Sequence, residues 1–483
     1  MPIRLVFAWL LVSAPLFADQ FDAVRGFVRR HMTESSAPSI AVAVARDGRI
    51  LWEEGFGWAD REKRVAADEN TMYSLASISK PFTATGLMML VEQKRIDLDR
   101  PVNQYLGNAK LRARVGNADD ATVRRVANHS SGLPLHYQFF YEDEPFRPPS
   151  MDETILRYGN LVTIPGEKWE YSNLGFGILD YVISRVSGVP YDDYMRQSVF
   201  LKLGLTHTSV GIGPGLEKFV AARYGQDGLP IPFYDFDHRG ASAIYASAHD
   251  LVRFAMFHLK AHLPDQARIL ADASIDEMQR TTAQSGEKAG YGIGWLTNDD
   301  LNGYRVISHT GGMGGVATTL RLIPSEKLAV VVLGNTSGAL PHQISEQILA
   351  ALLPNWRIPP SAPATSAPPS FRPPPGLIGT WKGVVSTYKA DIPLTLEVRE
   401  SGEAQAKLGD QLKMLLNDVT WENDVLSGRM LGDVGTEDAN RRPYFLQFTL
   451  KLRGNLLNGS ASAISQPGRR VGNALTQWVE LKK

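Results

Sequence analysis

Ser77-Ile78-Ser79-Lys80 opens an apolar run, and the reading of that run decides the fold. Over residues 81–92, Ala84, Leu87, Met88 and Val91 recur at helical spacing, which predicts a helix. Residues three apart share a helix face, so the Lys80 amine can reach the Ser77 hydroxyl. A serine at a helix N-terminus also lies where backbone N–H groups favour developing negative charge. Alone, the tetrapeptide reads equally as a helix cap and a solvated lysine. Two distant segments change that balance. Tyr171-Ser172-Asn173 runs straight into a second helical pattern, and His309-Thr310-Gly311 sits in a strand-like context followed by Gly312.

The three segments, in this order, resemble the signature of the serine β-lactamase and penicillin-binding superfamily. The spacing is similar to the branch that holds class C β-lactamases, D,D-carboxypeptidases, D-aminopeptidases and family VIII esterases. Asn128-His129-Ser130-Ser131-Gly132-Leu133-Pro134 resembles that branch's H-T-S-G-L-P turn, and Tyr291-Gly292-Ile293-Gly294-Trp295 its Y-G-x-G-W strand. The resemblance covers residues 22–353. It implies a serine hydrolase that works through an acyl-enzyme, with no cofactor and no metal.

The same resemblance assigns roles. Ser77 is the nucleophile, but a serine hydroxyl is weak until a base takes its proton. Lys80 serves only if neutral, so the cleft must lower its pKa by burial. Tyr171 passes a proton to the leaving group, and Asn173 orients Lys80 or a substrate amide. His309 stands where most β-lactamases have lysine and adds a group that titrates near neutral pH. Thr310 offers a hydroxyl, while Gly311 and Gly312 let an edge strand approach the substrate backbone closely. The family's oxyanion hole falls on the backbone N–H groups of Ser77 and Gly312. Gly312 also stands where carboxylate-binding members carry a further hydroxyl, which leaves esterase or aminopeptidase activity open.

The chain has 483 residues, enough for two or three domains, and a formal net charge of zero, which points to neither nucleic acid nor an anionic membrane. Arg4, the apolar stretch 5–16 and Ala18 before Asp19 read as a signal peptide over 1–18, hence a secreted or periplasmic protein. No later run is long and apolar enough to predict a span. There is no cysteine, so stability rests on the core and not on disulfides. His258 and His262 share a helix face, but lack an H-E-x-x-H pattern and read as surface histidines. Gly311 to Gly315 fits no dinucleotide-binding unit, and no G-x-S-x-G elbow is present.

Strand patterns at 39–45 and 50–56 flank Asp47-Gly48, a hairpin turn signal. Helical patterns fill 122–127, 152–158, 174–186, 191–200 and 248–259. Strands return at 292–297, 305–308, 316–323 and 328–333 before a last helix at 342–353. This predicts an α+β domain over 19–357: one antiparallel sheet with flanking helices and a helical lobe. Residues 358–375 are proline-rich and read as a semi-rigid linker. Residues 376–483 read as an all-β barrel, with Gly379-Thr380-Trp381 resembling the lipocalin G-x-W entry. The expected partner is a small-molecule or peptide substrate. Two rivals are a non-catalytic penicillin-recognising sensor and a lipid carrier built on the C-terminal barrel.

Overall fold

The computed structural model describes residues 20–358, 371–468 and 470–483. The expected signal peptide and residues 359–370 of the expected linker lie outside the described residues.

The hairpin signal is realised by Ser39–Arg46 and Arg49–Asp60, joined through Asp47 and Gly48, both at positive φ as a two-residue turn requires. These strands sit inside a nine-stranded antiparallel sheet. Its order is Ala283–Gln284, Ala289–Tyr291, Leu296–Leu301, Tyr304–Met313, Val316–Ile323, Leu328–Gly334, Ser39–Arg46, Arg49–Asp60 and Val65–Ala66. The N-terminal strand thus pairs with a strand nearly three hundred residues later, Val42 opposite Val332.

The alternation in Ala41-Val42-Ala43-Val44-Ala45 sets what covers each face. Val42 and Val44 pack with Val330, Val332, Ile344 and Ile348 under the end helices Asp22–Glu34 and Leu340–Leu352. Ala41, Ala43 and Ala45 face the other way, and their small side chains let helix Ala248–His258 approach the sheet. Each fully buried valine or leucine here contributes roughly 1.5–3 kcal/mol. On this second face lies the helical lobe, with Ser79–Glu92 at its centre and Asn173–Ser187 against it. The arrangement is the β-lactamase/transpeptidase-like α+β fold.

Two local readings are corrected. Residues 292–295 are not a strand: Gly292 N donates to Trp295 O (2.8 Å) in a turn between two strands. Gly294 has φ +77°, and a Cβ there would lie 3.0 Å from Lys80 O, so the turn exists to seat the backbone on the Lys80 helix. His258 is not on the surface. It is 1% exposed, with Nε2 3.0 Å from Thr85 Oγ1, because its helix is enclosed on every side.

The C-terminal segment forms a nearly closed nine-stranded antiparallel barrel. Its order is Met414–Leu415, Ala404–Leu408, Asp391–Val398, Gly379–Ser386, Ala474–Lys482, Leu456–Ser465, Tyr444–Arg453, Val425–Met430 and Asn417–Glu422. Its interior is filled by Trp381, Leu396, Phe448, Leu450, Leu457 and Val479, among others. Trp381 Nε1 donates to Leu377 O (2.8 Å), which satisfies the one polar atom of that buried ring.

The barrel is docked on the α+β domain. Tyr137 and Ala474 exchange backbone hydrogen bonds (3.1 and 2.9 Å), and Phe139 N donates to Asn473 Oδ1 (3.0 Å). Glu167 receives Lys451 (2.6 Å) and Arg453 (2.5 Å), while Glu144 receives Arg442 and Arg470 (both 2.7 Å). A chain ending at Arg357 loses these partners but keeps every motif residue. It is expected to melt at a lower temperature, still label at Ser77, and bind substrate differently. Folded protein that does not label, read by intact mass, would show that the barrel completes the site.

Candidate active site

The backbone turns sharply just before the candidate nucleophile. Ala76, only 1% exposed, has φ +47°, a conformation that costs a non-glycine residue on the order of 1 kcal/mol or more. Residues Ala76–Ile78 form a 3-10 turn, and the α-helix starts at Ser79. Pro81 sits in the first helical turn, where its missing N–H would have had no partner. The strain is held from two sides. Leu75 N donates to Ile244 O (2.8 Å), and Thr318 Oγ1 donates to Leu75 O (3.0 Å).

Lys80 is fully buried in this helix. Its Nζ lies 3.1 Å from Ser77 Oγ, 2.8 Å from Asn173 Oδ1 and 3.1 Å from Ala241 O. Among the described residues no carboxylate compensates it, and burial holds its pKa well below the ordinary lysine value. The neutral amine has two N–H groups and one lone pair. Asn173 Oδ1 and Ala241 O take the two N–H groups. The lone pair is then left for the Ser77 hydroxyl, which is the arrangement a general base needs.

Asn173 reaches Lys80 because it opens helix Asn173–Ser187, capped by Ser172 Oγ accepting from Gly175 N (3.3 Å). Tyr171 precedes that cap. Its phenol shares a hydrogen bond with the Ser77 hydroxyl, and burial pushes its pKa up, so it stays protonated. Lys80 Nζ lies 4.6 Å from the centre of the Tyr171 ring. Tyr171 can therefore relay a proton but not serve as a phenolate base.

The third motif lies on strand Tyr304–Met313. Gly311 is buried, and a Cβ there would meet Leu75 O at 2.1 Å and Thr318 Oγ1 at 2.3 Å. Only glycine lets this strand press against the segment that carries Ser77. Gly312 faces open space, and Thr310 is exposed. A cleft of about 660 Å³ runs along this edge, lined by Gly311, Gly312, Met313, Ile231, Val316 and, from the barrel, Val471. Ser77 is not among its walls, so the cleft flanks the nucleophile where an extended substrate would lie along the strand.

His309 behaves differently from expectation. It points inward, 2% exposed, with Nε2 2.8 Å from the Tyr291 hydroxyl and Nδ1 2.8 Å from Thr310 O. The carbonyl can only accept, so Nδ1 carries the proton and Nε2 accepts from Tyr291. Burial lowers its pKa to about 3. It does not change charge between pH 5 and 8.

All eight expected site residues lie on the elements that meet at this one locus. Missed were Ala76, Tyr291 and the carbonyl of Ala241. Tyr291 was visible as part of a motif, but no side-chain pattern announces a strained alanine or a backbone acceptor.

The beta-lactamase family model matches residues 24–353. The chain belongs to the beta-lactamase family. Penicillin-binding protein 4* of Bacillus subtilis (strain 168) is 27% identical over 325 residues, covering 61% of this chain and 67% of that one. Protein flp of Staphylococcus aureus (strain MRSA252) is 24% identical over 337 residues, covering 68% of this chain. The chain spans 66% of the length of protein flp, just under two thirds. The octameric penicillin-binding protein homologue from Pyrococcus abyssi superposes with a TM-score of 0.60 at 22% identity, covering 95% of this chain and 99% of that one. A class C beta-lactamase superposes with a TM-score of 0.60 at 20% identity, covering 69% of this chain and 97% of that one. SurE with D-Leu superposes with a TM-score of 0.62 at 22% identity over 95% of this chain and 99% of that chain.

Two outcomes follow from the electrostatics. The unfolded chain holds a proton on Lys80 up to about pH 10.4, whereas the folded chain has already lost it. The unfolded state binds more protons, so folding stability rises with pH in that window. Lys80→Met removes this slope. The wild type should therefore gain stability over Lys80→Met as pH rises from the lowered folded pKa of Lys80 toward its unfolded one, by up to about 1.4 kcal/mol per pH unit, read by denaturant unfolding of both proteins. Parallel curves would mean that Lys80 is charged in the fold. The acid limb of the rate profile likewise belongs to Lys80. In His309→Gln that limb should stay within about half a pH unit of its wild-type position, whatever happens to the rate. A limb lost in this variant would restore a titrating role to His309.

Proposed function

We propose that this chain cleaves amides or esters through an acyl-enzyme on Ser77, with D-amino-acid peptides, small esters and β-lactams as the substrate class. The observation that carries it is the uncompensated Lys80 amine 3.1 Å from Ser77 Oγ, its two N–H groups spoken for by Asn173 and Ala241. A structural lysine has no reason to be buried without a carboxylate, since desolvation opposes it and nothing repays the cost.

Ser77 Oγ attacks the carbonyl carbon as its proton passes to Lys80 Nζ. The backbone N–H groups of Ser77 and Gly312 receive the developing oxyanion. The bond to the leaving nitrogen or oxygen then breaks, and that atom takes the proton relayed from Lys80 through Tyr171. Water adds to the Ser77 ester by the same path in reverse and releases the acid. Neutral His309 holds the strand through Tyr291 and Thr310, without supplying charge.

Gly312 offers no hydroxyl, and the cleft beside it is lined by Ile231, Met313, Val316 and Val471. This favours esters and amides with an apolar group over substrates that end in a free carboxylate. SurE with D-Leu and a penicillin-binding protein homologue among the similar structures support D-amino-acid chemistry. Arg4, the apolar stretch 5–16 and Ala18 support a leader over 1–18 and export to the periplasm or beyond, which N-terminal sequencing of the mature protein tests.

Intact mass after incubation with β-lactams, D-alanyl peptides and p-nitrophenyl esters should reveal an adduct of acyl size. In Ser77→Ala it should vanish, and turnover should drop by on the order of 10³ to 10⁶. Wild-type turnover by Ser77→Ala on any good substrate would overturn the assignment.

A further inference from the structure

His129 is a buried imidazole to which the chemistry above gives no task. It is 2% exposed and held at φ +64°, a left-handed conformation that asparagine, aspartate and histidine adopt more readily than most residues. That conformation puts two acceptors of one residue on two residues of one neighbouring segment. His129 O accepts from Glu170 N (2.8 Å), and His129 Nδ1 accepts from Ser172 N (3.2 Å). Glu170 and Ser172 are the residues on either side of Tyr171. The His129 ring lies against the Tyr171 ring between them, with centroids 4.4 Å apart and planes at 39°. Tyr291, the partner of His309, closes the far side at 4.6 Å.

Nδ1 can accept only when its proton sits on Nε2, so the clamp requires one tautomer of the neutral ring. Burial disfavours the charged form, which keeps Nδ1 available. Tyr171 lies in an irregular stretch, 162–172, with no regular backbone pairing of its own. Residue 166 is tied to the same turn, through Gly166 N to Ser130 O (2.7 Å). The loop that carries the proton relay is thus fastened to the 128–132 turn rather than to the sheet.

We propose that His129 is the positioning residue for Tyr171: it fixes the backbone on both sides of the phenol and packs its ring, so that the hydroxyl stays on Ser77. It touches no substrate and acts only through Tyr171. The inference rests on the proposed acyl-enzyme reading, because it gives Tyr171 a proton to move.

The test separates acylation from binding in the pre-steady state, with p-nitrophenyl acetate as the probe. His129→Phe keeps an aromatic ring and removes the Nδ1 acceptor. It should slow acylation of Ser77 by about 10- to 100-fold, as misplacement of a reacting group does, with the binding constant changed less than about twofold. His129→Asn keeps a side-chain acceptor and tolerates the left-handed backbone, so it should recover a large part of the loss. In a Tyr171→Phe background the further substitution His129→Phe should cost almost nothing, since its route of action is already gone. Should His129→Phe not fold, as judged by circular dichroism, His129→Ala takes its place with the same expectations. Losses that multiply in the double variant, or a single variant within about twofold of wild type, would overturn the proposal. Failure of the acyl-enzyme reading looks different: Ser77→Ala would then hydrolyse the ester as fast as the wild type, whatever His129 does.

Discussion

Lys80 carries an amine where water does not reach and where no carboxylate waits for it. A charged group in that place would cost several kcal/mol, and the fold avoids the charge by leaving the amine neutral. The consequences spread outward. A neutral amine has only two N–H groups to satisfy, and the fold supplies two acceptors beyond Ser77, one from each of two separate elements. Asn173 comes from the start of the helix that follows Tyr171, and Ala241 O from the Arg239–Ser242 turn. That turn is itself seated on the helix by Thr83 Oγ1 donating to Gly240 O (2.6 Å). The base is therefore placed by three segments packed on one another, and moving any of them changes which atom its lone pair faces.

The opposing constraint comes from the strand edge. Gly311 allows backbone to lie against Leu75, and Thr318 on the next strand reaches across to the Leu75 carbonyl. This contact locks the left-handed Ala76 in place and so aims Ser77. The strain is local and the compensation is distributed, since Leu75 is also hydrogen-bonded to Ile244 on a separate small sheet. Nucleophile and base thus belong to different constraint systems, one backbone and one side-chain. The hydroxyl of Ser77, shared between Lys80 and Tyr171, is where they meet.

Residue spacing made much of this legible. The order of Ser77, Lys80, Tyr171, Asn173 and the His309 strand was readable because acyl transfer needs those groups and helix geometry sets their intervals. The alternation of alanine and valine over 41–45 was readable as a strand, and so was the Asp47-Gly48 turn. What stayed hidden was made of backbone. Strand Leu456–Ser465 was invisible because Asn458, Gly459, Ser460 and Ser462 are poor strand formers. It forms because it is central, between two long strands, and at Gly459 a Cβ would meet Thr449 O at 2.1 Å. The charge state of His309 was misjudged for a related reason: its ordinary pKa applies in water, and only the fold reveals that both its nitrogens are engaged and dry.

The barrel adds a division of labour that neither half shows alone. Every group that moves a proton belongs to the first 357 residues, yet the cleft beside Gly312 borrows a wall from Val471. That segment is anchored on the catalytic domain, where Tyr141 donates its hydroxyl to Val471 O (3.2 Å) and Gly314 lies so close that a Cβ would meet Val471 Cγ2 at 2.3 Å. Turnover chemistry depends on groups held rigidly by burial, which tolerate little change. The shape of the cleft depends on a docked surface held by ion pairs such as Glu144 with Arg442 and Arg470, which are partly exposed and individually weak. Substrate preference can therefore shift through the barrel without disturbing Lys80, and the two halves answer to different physical constraints along one cleft.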